Sequence, residues 1–200
     1  MINALHIAVF ASGSGTTLQT LLDSQDRYGY RVSLVVTNRE CLAQERATKA
    51  HIPTLQTKDW EEIDQVLSDH QIQLIVLAGF LAIIPQWICE KWDKRIINIH
   101  PSLLPKFGGK GMYGIHVQEA VLAAQEQEAG CTVHYVSTEV DGGSIIAQSV
   151  VPVLPHDTPE TLAQRVQQAE KALLPKTREI LKSDIDERRG FFSNDFVHWI

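Results

Sequence analysis

Short apolar runs set against helix-patterned segments constrain this chain more than any other feature. His6–Ala11, Val32–Thr37, Leu74–Ala78 and Arg95–Ile99 read as strands, and Leu74–Ala78 is apolar at every position. A strand without a polar side is expected where both faces are covered, as in a parallel sheet. Thr16–Asp23, Ala43–Ala50, Glu61–His70 and Val117–Gln125 carry helical patterning, with Ile63, Val66 and Leu67 on one face of the third. Thr132–Ser137 and Ile145–Val153 read as a strand pair around Asp141-Gly142-Gly143. Thr158–Leu181 reads as one long amphipathic helix, with Asp157 or Thr158 as N-cap and Pro159 in its first turn. This alternation predicts an α/β fold, a doubly wound, mostly parallel sheet with helices on both faces. Residues 1–183 are expected to form a single domain. Residues 184–200, charged and then aromatic, make a tail whose structure the sequence leaves open.

The 200 residues carry 18 Lys and Arg against 24 Asp and Glu, a net charge of −6. That balance argues against a nucleic-acid partner, which requires a broad positive field. It permits a local anion site made from a few backbone N–H groups. Cys41, Cys89 and Cys131 are far apart, and no Cys or His pair has ligand spacing. No metal is expected, and the thiols read as reduced ones in a cytoplasmic protein. The longest apolar run, Leu74–Ile84, is too short to span a bilayer, so no membrane partner is expected.

Ser12-Gly13-Ser14-Gly15-Thr16-Thr17 follows the first strand and opens the first helix. Glycines let the backbone approach an anion, and a helix start offers N–H donors and the positive end of its dipole. The dinucleotide fingerprint is incomplete: Leu18 occupies its third glycine position, and Thr37-Asn38 stands where an acidic residue belongs. Neither the G-x-x-x-x-G-K-[ST] loop nor the G-x-S-x-G elbow occurs here. The loop is a phosphate candidate, or a tight turn that holds nothing.

Asn98 and His100 are two apart at the end of the fourth strand, so their side chains share a face. In open α/β sheets ligands sit beyond such strand ends. An amide and an imidazole side by side suit acyl transfer: one donates to a developing oxyanion, the other donates or shuttles a proton. Equally, Asn98 could cap a turn and His100 be an ordinary strand-end histidine. Asp141-Gly142 is a turn signature. A carboxylate there would hold one tautomer of His100 if the two met. His134 could line the site or pack beneath the sheet, and the second reading is preferred.

Ser12-Gly-Ser-Gly15, Leu77-Ala-Gly-Phe80, Asn98-Ile-His-Pro-Ser-Leu-Leu-Pro105, Gly108-Gly-Lys-Gly111, Thr132-Val-His134 and Val140-Asp-Gly-Gly143 stand together in one chain. The combination, running from about Ile7 to Pro175, resembles the phosphoribosylglycinamide formyltransferases of the folate-dependent formyltransferase family. The resemblance implies a Rossmann-like formyltransferase fold. It also implies transfer of the formyl group of 10-formyltetrahydrofolate to the amine of glycinamide ribonucleotide, through a tetrahedral intermediate, in purine synthesis. Asn98, His100 and Asp141 match the family's catalytic trio: oxyanion donor, cationic stabiliser of the oxyanion, and the group that orients and charges that histidine. Gly13, Ser14, Gly15, Thr16 and Thr17 match the phosphate cradle, and Glu170 matches a glutamate that contacts the ribose hydroxyls. Leu81, Ala82, Ile83 and Ile84 match the segment lining the folate pocket, which the Asp141 loop closes from the other side. The same resemblance implies small-molecule partners only, and a monomer or homodimer.

This sequence departs from the family at several places. Thr17 replaces an Asn, Ala82 an Arg, and Gly108 and Ser144 each a Pro, while no folate-binding arginine has a match near Lys58 and Trp60. These changes bear on affinity and loop order rather than on the reaction. Both implied substrates are anionic, so attraction is expected to be local, from the helix start, from Lys106 and Lys110, and from His100. Two longer relatives, methionyl-tRNA formyltransferase and formyltetrahydrofolate deformylase, share the Asn98–Pro105 motif, and the 200-residue length favours neither. Transfer to a sugar-nucleotide amine is a further alternative. So is a non-catalytic nucleotide- or folate-binding protein, which would have little reason to keep the trio.

Overall fold

A computed structural model describes residues 4–178 and residue 181. The chain runs β1 (Leu5–Ala11), α1 (Thr16–Tyr28), β2 (Tyr30–Thr37), α2 (Leu42–Lys49), β3 (Thr54–Gln56) and α3 (Trp60–Asp69). It continues with β4 (Leu74–Leu77), α4 (Gln86–Lys91), β5 (Ile96–His100), α5 (Ile115–Ala123), β6 (Glu128–Tyr135), β7 (Ile145–Pro152) and α6 (Pro159–Leu173). The strands form one sheet in the order β3-β2-β1-β4-β5-β6-β7. The first five pair in parallel, whereas β6 is antiparallel to both β5 and β7.

Strand periodicity sorts the core into two layers. Ile7 and Val9 of β1 face a layer with Leu18 of α1, Ala43 of α2, Val121 of α5 and Leu162 of α6. Ala8 and Phe10 face the opposite layer, with Ile63 and Leu67 of α3 and Ile88 of α4. Each fully buried leucine or isoleucine of this kind contributes roughly 1.5–3 kcal/mol. The expected doubly wound architecture therefore holds, and helices cover both faces.

Some expectations are corrected. The short β3 and α4 were not anticipated: one has three residues at the sheet edge, the other six after Pro85. β6 begins at Glu128, four residues earlier than the sequence suggests. Gly130 lies within it because a Cβ there would sit 2.1 Å from the Ser149 carbonyl oxygen. The long helix expected over 158–181 ends at Leu173. Pro175 lacks the N–H that would continue the ladder, and its ring would clash one turn back. Thr158 is its N-cap, accepting from the Thr161 N–H at 3.3 Å, with Pro159 at its start. The expected boundary at residue 183 and the tail 184–200 lie outside the described residues. Among the described residues, no helix is long and apolar enough to cross a membrane.

Because β1 lies between β2 and β4, the chain departs in opposite directions from the ends of β1 and β4. A crevice opens beyond such a switch point. The segments after β1, β4 and β5 all border it.

Candidate active site

The loop after β1 enters α1 through a glycine. Gly15 is the α1 N-cap in the left-handed conformation, φ 68°, and provides no capping side chain. A Cβ at Gly15 would stand 2.7 Å from the Ala43 Cα, so α2 packs directly against the loop. The first-turn N–H groups of a helix lack intrahelical acceptors. Here Gly13, Ser14, Gly15, Thr16 and Thr17 border the cleft, as the sequence suggests. Ser12 ties this loop to the segment after β4: its N–H donates to Gly79 at 3.1 Å, and its hydroxyl accepts from the Leu81 N–H at 3.0 Å.

The end of β5 brings Asn98 and His100 to the cleft. Antiparallel register sets Asn98 opposite His134 and His100 opposite Thr132. His134 Nδ1 lies 2.9 Å from the Tyr135 carbonyl oxygen, which can only accept. The proton is therefore on Nδ1, and Nε2 of the neutral ring accepts from Asn98 Nδ2 at 3.1 Å. Burial holds His134 below the ordinary histidine value and so keeps it neutral. The second N–H of the Asn98 amide is not used in that bond. The expectation that His134 packs beneath the sheet is corrected: it is buried, yet it borders the cleft and orients Asn98.

His100 Nε2 is 2.8 Å from the Phe107 carbonyl oxygen, so Nε2 carries a proton. Its Nδ1 faces Asp141 Oδ2 at 3.5 Å, and the other Asp141 oxygen lies 3.6 Å from His134 Nε2. Asp141 thus stands between two imidazoles, an adjacency that sequence spacing could not provide. It adopts φ 55° in the return from β6 to β7, and accepts from the Gly109 N–H at 2.9 Å. One carboxylate thereby links the loop after β5 to the strand end.

Two further walls complete the cleft, whose volume is about 700 Å³. Glu170 reaches it from α6, and burial pushes its carboxyl from 4.5 up to about 7. The Cys131 thiol, on β6, is raised to about 12 by burial and, secondarily, by Glu170. Leu81, Ala82, Ile83 and Ile84 border the cleft after β4. Leu81, Ile83 and Val140 are exposed in it, giving an apolar surface suited to a flat heteroaromatic ring. Phe80 and Ile84 pack on the α3/α4 layer, whereas α1 and α6 belong to the other. The strand end lies between these two groups.

Lys110 borders the cleft as expected, but Lys106 does not. Its ammonium is 2.8 Å and 3.0 Å from the two Glu126 oxygens, because the loop folds back towards the turn after α5. The sequence reading also missed Arg39 and Arg46. They lie outside any motif, and only the fold brings them to the back of the glycine loop. Among the described residues, no group of three or more His, Cys, Asp or Glu side chains could hold a metal ion.

Comparisons with known proteins identify the family. A family model described as formyl transferase matches residues 5–177. The chain is 43% identical over 193 residues to the trifunctional purine biosynthetic protein adenosine-3 of Drosophila pseudoobscura pseudoobscura, spanning 89% of this chain and 14% of that protein. It is 41% identical over 180 residues to the chloroplastic phosphoribosylglycinamide formyltransferase of Arabidopsis thaliana, spanning 84% of this chain and 62% of that protein. The chain therefore covers less than two thirds of the length of either curated relative. Among solved structures, the phosphoribosylglycinamide formyltransferase of Anaplasma phagocytophilum superposes with a TM-score of 0.84 at 39% identity, covering 90% of this chain and 88% of that one. A formyltetrahydrofolate deformylase from Pseudomonas syringae shares the fold at 25% identity, with a TM-score of 0.80. With a matching family model from β1 to beyond α6, and a similar solved structure covered almost throughout, this chain belongs to the formyl transferase family.

Proposed function

We propose that the chain transfers the formyl group of 10-formyltetrahydrofolate to the amine of glycinamide ribonucleotide, releasing tetrahydrofolate and the N-formyl product. The observation that carries this reading is the meeting of Asn98, His100 and Asp141 at the mouth of β5, in the same cleft as the Gly13–Thr17 loop. The similarity to phosphoribosylglycinamide formyltransferases supports the choice of acceptor.

In this reading the amine attacks the formyl carbon, and negative charge grows on the formyl oxygen. The Asn98 amide, fixed by His134, donates its second N–H to that oxygen. Such a donor is worth ~3 kcal/mol in the transition state because it is aligned before charge develops. A proton on His100 Nδ1 would complete an ion pair with Asp141 and add positive charge beside the oxyanion. Asp141 then takes the ammonium proton, directly or through water, and passes it towards the departing nitrogen. Gly13, Ser14, Gly15, Thr16 and Thr17 hold the phosphate, and Glu170 accepts from the ribose hydroxyls. Leu81, Ala82, Ile83 and Ile84 hold the pterin ring of the folate, whose N10, outside that ring, carries the formyl group and departs as the leaving nitrogen. Three free thiols, Cys41, Cys89 and Cys131, support a reducing, cytoplasmic setting.

The test is to mix the protein with 10-formyltetrahydrofolate, with and without glycinamide ribonucleotide, and follow product absorbance. Product only with the ribonucleotide is expected. Product without it would indicate a deformylase, and none in either case would indicate a binding protein.

A further inference from the structure

The charge on the cleft wall opposes its proposed cargo. Lys110 is set against Glu139 and Asp141 among the lining residues, and Glu170 adds negative charge as it ionises. The positive charge nearest the glycine loop comes instead from behind it. Three successive loop carbonyls each accept one hydrogen bond from the segment 39–46. Arg39 Nε donates to Ser12 at 2.7 Å, the Ala43 N–H to Gly13 at 3.2 Å, and Arg46 Nε to Ser14 at 2.8 Å.

A trans peptide sets its C=O and N–H on opposite sides. Carbonyls turned towards the segment 39–46 therefore turn the N–H groups of Gly13, Ser14 and Gly15 the other way, on the side that borders the cleft. Successive N–H groups so arranged make an anion-binding concavity. Arg46 also reaches Gln19 of α1 through a second nitrogen, at 3.3 Å, so one guanidinium spans the loop and the helix it opens. Among the described residues, the Lys and Arg ion pairs involve neither Arg39 nor Arg46. Their charge is thus left to act on the loop.

We propose that Arg46, assisted by Arg39, is the positioning residue of the phosphate site: it turns the loop N–H groups into the cleft and supplies counter-charge through the loop without touching the ligand. This rests on the reading that the loop binds the acceptor's phosphate. Arg46 keeps its planar donor fork at the loop, which a lysine cannot reproduce, although a lysine keeps the charge.

The experiment uses R46M and R46K in the full chain, with ribose 5-phosphate as probe in calorimetry at several salt concentrations. KM is measured for both substrates alongside. For R46M, ribose 5-phosphate affinity is expected to fall about tenfold, with a shallower salt dependence, because a nearby unpaired charge is lost. The KM for glycinamide ribonucleotide rises in parallel, while that for the formyl donor stays within about twofold. R46K restores the salt dependence and part of the affinity. If wild type binds ribose 5-phosphate and R46M binds it equally well, Arg46 has no such role. Equal losses in both variants, tracking equal losses of melting temperature, would reduce Arg46 to a brace and overturn the electrostatic part. Failure of wild type to bind the probe would instead overturn the phosphate-loop reading itself.

Discussion

Asn98 Nδ2 lies 3.1 Å from Nε2 of His134, its direct cross-strand partner on β6. The amide is thereby oriented before any ligand arrives, because His134 is held as an acceptor by its bond to Tyr135. Replacing His134 with leucine should free the amide to rotate. One neutral hydrogen bond is worth ~1 kcal/mol net, so kcat should fall about fivefold, less than the loss in Asn98→Ala. Steady-state kinetics on both variants, with circular dichroism to verify folding, checks the order.

The Gly15 backbone leaves no room for a side chain. Gly15→Ala would put a Cβ 2.7 Å from the Ala43 Cα at φ 68°. Strain and overpacking of this kind cost about 1–3 kcal/mol each. The variant should melt earlier and lose ribonucleotide affinity, while Gly13→Ala, with open space around it, should melt near wild type. Differential scanning calorimetry of the pair separates the two.

Glu170 should impose a pH dependence. Its carboxyl titrates near 7 in the fold because burial disfavours the charged form, against an ordinary value of 4.5. The sign follows from linkage: the raised value stabilises the fold below 4.5, and that contribution is lost as pH rises through 7. A shift of this size has a ceiling of roughly 3 kcal/mol. Glu170→Gln should therefore gain relative to wild type between pH 5 and pH 8 in urea denaturation. Ribonucleotide affinity should show the opposite trend if Glu170 holds the ribose as proposed: over the same range wild type should gain on the variant, because an ionised carboxylate is the better acceptor.

Asp157 acts in the other direction. Arg165, 2.6 Å away, holds its carboxyl well below the ordinary 3.8, aided by the Leu154 N–H and Thr161. This stabilisation is present above about pH 4 and disappears as acid protonates the folded group. Asp157→Asn should be less stable than wild type at pH 7, and the gap should close towards pH 2. Thermal melts across that range give the comparison.

The parallel core was legible because β1 and β4 are nearly all apolar and β2 and β5 contain the runs Leu34–Val36 and Ile96–Ile97, and burial on both faces demands that composition. β3 was not, since Thr54-Leu55-Gln56 is too short to carry a period. The start of β6 was hidden by Glu128 and Gly130, whose fitness depends on β7 alongside. At the site, Asn98, His100 and the glycine loop, each singled out by a motif, border one cleft. Their partners depended on register and packing: His134 faces Asn98 through strand pairing, Asp141 arrives on a return loop, and Arg46 reaches the loop from α2. Such proximity has no signature in spacing along the chain.

The most direct measurement follows the formyl carbon itself. Donor carrying ¹³C in its formyl group is mixed with glycinamide ribonucleotide and protein, and the label is tracked by NMR. The account predicts that the signal moves to an amide of the ribonucleotide, and that Asn98→Ala slows the transfer by about two orders of magnitude. Label appearing as free formate at the same rate with or without the ribonucleotide would contradict it.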